Sequence, residues 1–515
     1  MIFIIRQKVY WFVSLVLVVL LLVIGGEWFI ARQGVAQTPP DRVFYVAPNG
    51  SDTNEGSLTH PWATVNHAAN VLKAGETVYI RAGIYTPTQQ IKAQNSGRAD
   101  AWITYSAFPG EPVIIDAKAI PVGPPLGKPP FAHDQGAFQL ENVQYIQVRN
   151  LEIINSHNSG ITVRNSNYID LNNNQTENTF SPGIGIWHSD HQKVIGNTVV
   201  NANALEMADY PRDSGKKPHE AISLGSVEHF EVAYNLVKYG QKEGIDIKEQ
   251  SQHGTVHHNY VHHMDRQGLY VDSWFGLLED VEVFDNVVHD CQGAGFAVSV
   301  EGGSAAKNIR FHHNLLYDNW GTGIFLSRWG DNGFRENVKI YNNTVHHNGY
   351  GPPNPGDKFY WMTGGLYLFS DNLQSIEIKN NIFSENNGFQ IGYSDAYLKN
   401  SSKIEEVFQQ KQIDIAHNLV FGANSAREPI YAGWPPDDYA YIYGTNGTSA
   451  VVGTSPQFIN AKLGNFYLES RPTINQTDPI ADPKTPQTTI GAFPYGEKPD
   501  LWWQPAEFPP KFSES

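Results

Sequence analysis

Between about residue 150 and residue 420 apolar and polar residues alternate in short runs, each run closing on an Asn, with a Gly about nine residues later. The phrase reads VIGN, EVAYN, TVHHN, EVFDN, RFHHN, KIYNN and EIKNN, and it ends at Asn197, Asn235, Asn259, Asn286, Asn314, Asn343 and Asn381. Successive intervals are 38, 24, 27, 28, 29 and 38 residues. Alternation with period two marks strands, and short strands repeated with turns at this spacing describe a solenoid whose coils bury their apolar side by stacking. The predicted fold is all-β, a right-handed parallel β-helix with an N-terminal capping helix. Asn259, Asn286 and Asn314 are expected to stack in one turn column, since a short amide bonds both to backbone and to its neighbour.

The strand that follows each Gly can be phased. Ile184 and Ile186, Ile222 and Leu224, Ile245 and Ile247, Leu269 and Val271, Phe296 and Val298, and Ile324 and Leu326 point inward. The residues between them point outward. Two intervals are stretched by insertions, near 202–220 and 349–364, rich in Pro, Gly and charge and therefore loops. Both are expected to stand on the outward face and wall a cleft. Ahead of the coils, Phe44–Ala47 reads as a strand, Pro61–Leu72 as the capping helix and ETVYI as a further strand. The organisation read is a targeting segment at 1–36, the β-helix at 37–420, and final coils with a Pro-rich tail across the rod end at 421–515.

Composition narrows the partners. The 515 residues hold 52 Asp plus Glu against 36 Lys plus Arg, a net charge of -16, which disfavours a nucleic acid backbone. The 12 Trp and 25 Tyr suit either sugar stacking or solenoid packing. The single cysteine, Cys291, excludes an internal disulfide and reads as a small buried residue in a turn. Arg6 and Lys8 precede an apolar run from Val9 to Gly25, and Gly34, Val35 and Ala36 offer a cleavage pattern. Export follows, to the medium, periplasm or cell surface. The segment is either a cleaved signal peptide or a retained N-terminal membrane anchor, the membrane's sole point of attachment. The chain is expected to be a monomer acting on an oligo- or polysaccharide.

Candidate chemistry lies on the outward face. Coils are about 4.8 Å apart, so Lys248 falls beside Asp272 and Asp246 beside Tyr270. Glu301 is one coil on and two residues along, at roughly 8 Å between Cα atoms. Asp246, Lys248, Asp272 and Glu301 form the catalytic candidate, flanked by Trp187, Tyr270, Arg164 and Arg328 for substrate. The paired His residues of the HHN phrases are expected to point one inward and one outward, which argues against convergent metal ligation there.

Three classes of function fit. In a glycoside hydrolase, Asp272 attacks or stabilises the anomeric centre, Glu301 donates a proton, and Lys248 keeps Asp272 ionised. In a polysaccharide lyase or uronan epimerase, Lys248 or a Tyr is the base, and Ca2+ or Arg164 and Arg328 hold the uronate. In a non-catalytic surface solenoid the same face binds glycan alone. The hydrolase, which needs no cofactor, is the first reading.

The stretch DRVFYVAPNGSDTNEGSLTHPWATVNHAANVLKAGETVYIRAGIYT resembles the amino-terminal cap and first coil of secreted right-handed β-helix proteins of the pectate-lyase-like superfamily. GLYVDSW, with Asp272, resembles the phrase carrying the nucleophilic aspartate of β-helix β-xylosidases. AVSVEGG is similar to their acid/base phrase, with Glu301 two positions late. EGIDIKEQ and DRQGLYVD resemble the calcium-binding coils of pectate lyases that use a Lys base. That resemblance implies Glu243, Asp265 and Asp272 as Ca2+ ligands, with Arg266 standing where the family has a second aspartate.

Overall fold

The computed structural model describes residues 42–122, 135–206, 218–351, 363–394, 404–422, 451–452, 455–470, 490–493, 495 and 502–503. By its contacts the chain divides into units 1–42 and 43–515, and the strands below belong to the second. Three parallel sheets wind around one apolar core. Sheet A is the column Ser159–Arg164, 184–187, 222–225, Ile245–Lys248, Leu269–Ser273, Phe296–Val300, Ile324–Leu326, Leu366–Phe369 and Ile391–Ser394. Sheet B follows in each coil, for example Gln252–His257, Leu277–Phe284 and Ala305–His312. Among the described residues sheet C has thirteen short strands, including Tyr260–His262, Val287–His289 and Leu315–Tyr317. Strands Ile184–Ile195 and Ile222–Ala233 run through the bend from A to B, turning at His188 (φ 50°) and Ser226 (φ 54°).

Every inward residue phased from the sequence is buried. A slip of one residue would turn them all out of the core and bring the charged row into it, so the apolar core pins the register. Bends between sheets place Asn, Asp and His in the left-handed region, where a polar side chain can bond the local backbone. This corrects the expectation for the His pairs. His257 lies in a strand and stacks on Phe284, while His258 occupies the following bend at φ 52°, so neither enters the core.

The Asn column extends beyond its predicted length, from Asn174 through Asn197, Asn235, Asn259, Asn286, Asn314, Asn343 and Asn381 to Asn418. In the middle of it, Asn286 N–H donates to Asn314 Oδ1 at 3.0 Å, and Asn286 Nδ2 donates to the same oxygen and to Val256 O, each at 2.9 Å. A second ladder, Asn319–Asn348–Asn386, ends on Gln390. Cys291 stands at its head, buried, donating its N–H to Asn319 Oδ1, and burial pushes its thiol up to about 12.

The capping helix is Val65–Val71, shorter than predicted, because Thr64 is its N-cap and accepts from His67 N–H. Both insertions leave the end of sheet C, after Thr198–Val200 and Thr344–His346, and return to begin sheet A at Ile222 and Leu366. They thus issue from one corner and bracket the strands that carry the charged cluster. Their centres, 207–217 and 352–362, lie outside the described residues. The described tail packs along the flank of sheet C: Phe466 and Trp503 cover Val287 and Leu315, while Leu468 and Ile490 cover Ile382 and Leu419. The N-terminal anchor is corrected: among the described residues no helix is long and apolar enough to cross a membrane. Residues 1–36, read as the targeting segment, lie outside the described residues.

Candidate active site

The register of sheet A puts Lys248 opposite Asp272 and Asp246 opposite Tyr270, with Ser299 next to Asp272 in the following coil. Glu301 follows that strand immediately. Its N–H donates to Ser273 O at 2.9 Å, and its carbonyl accepts from Asp331 N–H at 2.6 Å. A Cβ on Gly330, at φ 59°, would come within 2.5 Å of Glu301 Cα, so the loop closes on Glu301 only because glycine stands there. The glutamate is therefore fixed at its backbone on two sides.

The face is outward but not open. Asp246, Asp272 and Lys248 are 0 %, 2 % and 7 % exposed, so the picture of solvent-facing charges is corrected. On one side Tyr270, Ala297, Phe325, Tyr367, Phe369 and Phe389 pave the sheet, with Trp329 against them. On the other, the end of the first insertion delivers Glu220. Lys248 Nζ donates to both Glu220 oxygens at 3.2 Å and lies 3.3 Å from Asp246 Oδ2. Ser223 donates to Glu220 at 2.7 Å, and Lys242 stands 3.7 Å away. Burial opposes the Glu220 charge, but the ammoniums of Lys248 and Lys242 outweigh it and hold the carboxyl far below its usual range. Burial likewise opposes the Lys248 charge, and Glu220 and Asp246 keep that ammonium well above its usual value.

Lys248 is thus the partner of Glu220, and the expected protection of Asp272 as an anion fails. Burial first, and then the neighbouring Glu301, push the Asp272 carboxyl well above the carboxylate range; its Oδ1 has no hydrogen-bond partner among the described residues. Asp246 is raised in the same way by burial, despite Lys248. Glu301 is also raised by burial, but it is the partly exposed member, and it accepts the Tyr270 hydroxyl at 2.6 Å. Burial drives the Tyr270 phenol well above its usual value, so it is a donor, not a base.

The remaining candidates do not make the contacts expected of them. Trp187 is buried with its ring 4.3 Å from that of His219, and it lies across Gly225, where a Cβ would meet the indole at 2.4 Å. Tyr270 is 5 % exposed. Neither presents a ring to a sugar. Arg164 is four coils from Asp272 along the register, about 19 Å at 4.8 Å per coil. Arg328 pairs with Asp371 at 3.0 Å and lies 5.5 Å over the Phe369 ring. Asp265 accepts from Gln292 at 3.1 Å.

Ca2+ does not fit. Asp246 Oδ1, Asp272 Oδ1 and Glu243 Oε2 have no hydrogen-bond partner among the described residues, which would suit a cation. Yet no three of Glu243, Asp246, Asp265 and Asp272 bring ligand oxygens within 4.8 Å of one another. Fixed cations take the place instead: Lys248 beside Asp246, and Arg266 on Glu243 at 3.2 Å.

Sequence reasoning missed several neighbours. Glu220 lies past an insertion that breaks the spacing. Arg335 arrives from sheet B two coils on from Asp272, wholly buried, donating to Asn332 Oδ1 at 2.7 Å, and burial pulls it down to about 10. Trp274 and Phe275, in the loop after Asp272, are 42 % and 63 % exposed beside Gly302 and supply the open aromatic edge that Trp187 and Tyr270 do not.

A model described as the right handed beta helix region matches residues 136–306 and 303–405, over half of the chain. The chain belongs to the right-handed β-helix family. A second model, the Pel9A-like right handed beta helix region, matches residues 44–220. Among relatives, pectate lyase PEL9 of Emericella nidulans is 34 % identical over 135 residues, 24 % of this chain and 33 % of the lyase. The match therefore spans a third of that enzyme's length. The uncharacterized protein YwoF of Bacillus subtilis is 25 % identical over 468 residues, 84 % of this chain and 92 % of its own. Of solved structures, pectate lyase Pel9A gives a TM-score of 0.44 at 14 % identity, covering 89 % of this chain and 97 % of that one. A rhamnogalacturonan lyase gives 0.42 at 13 % identity, covering 88 % and 96 %. These matches relate the chain to pectate-lyase-like β-helix proteins and do not single out a glycoside hydrolase.

Proposed function

We propose that the chain is a polysaccharide lyase that cleaves a uronate-containing glycan by β-elimination without a metal ion, with Glu301 as its base. The observation that carries this is the division of labour between two carboxyls. Asp272 is buried with Lys248 turned to Glu220, whereas Glu301 is partly open and bonded by the Tyr270 hydroxyl. A nucleophile must be ionised. Burial raises the Asp272 carboxyl well above its usual range, which disfavours the anion an attacking group needs, and leaves the accessible, Tyr270-bonded Glu301 the better placed of the two to accept a proton.

In the elimination, Glu301 takes the proton at C5, the C5–H electron pair becomes the C4–C5 double bond, and the C4–O4 bond breaks as the leaving oxygen gains a proton from water. The Tyr270 hydrogen bond stabilises the Glu301 carboxylate before the step. Arg266, half-buried beside Glu243 and close enough to lower Glu301, faces the uronate carboxylate. The upward shift of the Asp272 carboxyl lessens the negative charge that the floor of the site presents to a polyanion. Trp274 and Phe275 offer ring faces to flanking sugars. The similarity of residues 44–220 to a Pel9A-like region and the local identity to a pectate lyase support the same reading.

A panel of pectate, rhamnogalacturonan and alginate, followed by the ultraviolet absorbance of an unsaturated uronide, tests it. Absorbance is expected on at least one substrate and unchanged by chelator. New reducing ends without absorbance would return the site to the hydrolase reading, and no cleavage on any substrate would favour glycan binding alone.

A further inference from the structure

A second set of ionisable groups lies on sheet B, away from the cluster on sheet A. We propose that Asp190, His191 and His229 form a site for one borderline divalent transition cation, Zn2+ or Ni2+, with Glu228 and His253 continuing it into the next coil.

The arrangement follows from the solenoid. His191, His229 and His253 occupy the same bend in three successive coils, at φ 54°, 51° and 55°, so their imidazoles leave the rod at one corner. Ring centroids are 4.7 Å apart between His191 and His229 and 5.4 Å between His229 and His253. Acidic residues precede two of the three, and the ladder pairs them, Asp190 with Glu228. Asp190 Oδ1 is 2.8 Å from His191 Nδ1 and 2.9 Å from His229 Nδ1. Glu228 Oε1 is 3.9 Å from His229 Nδ1 and 3.7 Å from His253 Nδ1. In both triplets, Asp190–His191–His229 and Glu228–His229–His253, all ligand atoms lie within 4.8 Å.

Two imidazole nitrogens and a carboxylate oxygen are a donor set for Zn2+ or Ni2+ and a poor one for Ca2+ or Mg2+. Metal bonds of about 2.0–2.1 Å in tetrahedral geometry put ligand atoms roughly 3.3 Å apart, so the present contacts open by about half an ångström. The side chains are 38 % to 48 % exposed, which permits that adjustment, gives the ion a path, and leaves room for a water in the fourth position. Strands Ile184–Ile195 and Ile222–Ala233, which carry the three ligands, are also the two joined by the first long insertion. The cation would clamp the coils across that insertion.

The test is calorimetric titration of the tag-free full chain, stripped with chelator, with Zn2+ alone, and melting in parallel. One equivalent with a rise in melting temperature is expected. His229→Ala, a half-exposed position, should weaken binding by more than about 100-fold, beyond the loss for outer partners, and cancel the rise. His253→Ala should weaken it less. His263→Ala, in the separate group of His263, His289 and Asp290, should leave it unchanged. No saturable binding, one equivalent retained in His229→Ala with native circular dichroism, or loss in His263→Ala instead would each overturn the proposal.

Discussion

In the proposed reaction the chemistry turns on Glu301, because among Asp246, Asp272 and Glu301 it is the one that combines access with a donor already in place. Glu301→Gln keeps the size and the contact to Tyr270 but cannot take a proton. Turnover should fall by about 10²–10⁴-fold, the range for a general base, with the melting temperature little changed. Asp272→Asn behaves differently. The folded carboxyl is raised above its unfolded value, so the folded state binds more protons than the unfolded one and stability falls as pH rises. Relative to wild type, the Asn variant should gain stability in denaturant titrations as pH climbs from about 4, the unfolded carboxylate value, to neutrality. Glu220 carries the opposite sign. Its lowered carboxyl contributes stability above the unfolded value, and that contribution is lost as pH falls towards the folded one. Glu220→Gln strands the buried Lys248 ammonium with Asp246 and should destabilise the fold by about 3–5 kcal/mol, read from urea unfolding.

At the scale of elements, the Asn ladder holds the coil stack. Asn286→Ala leaves the Asn259 backbone N–H without its acceptor and takes the side-chain donor from the Val256 carbonyl, while Asn314 Oδ1 keeps its bond from the Asn286 backbone N–H. An unsatisfied buried group costs about 1–3 kcal/mol, and the urea midpoint should drop accordingly. The ladder, the inward rows and the opposition of Lys248 to Asp272 were legible because coil length changes slowly and strand alternation has period two. Burial of the outward face was not legible. It depends on Glu220, delivered by an insertion of arbitrary length, and on Arg335, which belongs to another sheet two coils on. Nor did alternation reach the His pairs, because the second His of each sits in a left-handed bend where the period breaks. Trp187 shows the same limit: its outward phase was right, yet His219 beside the insertion covers it.

For the whole molecule, a chain of net charge -16 needs local compensation if it is to take a polyanion as proposed. Lys242, Lys248, Arg266, Arg328 and Arg335 gather around the candidate site and provide it, while their carboxylate partners limit its strength. Both insertions leave one corner of the rod on either side of these strands, so a glycan lying across sheet A would run between them. The central claim is that this face removes a proton at C5 and uses no metal to do so. It is tested most directly by nuclear magnetic resonance of the digest from chelator-treated wild type beside Glu301→Gln. The account predicts the vinylic C4 proton of an unsaturated uronide from the wild type and none from the variant. Saturated reducing sugars from the wild type, or the same vinylic product from Glu301→Gln at an undiminished rate, would contradict it.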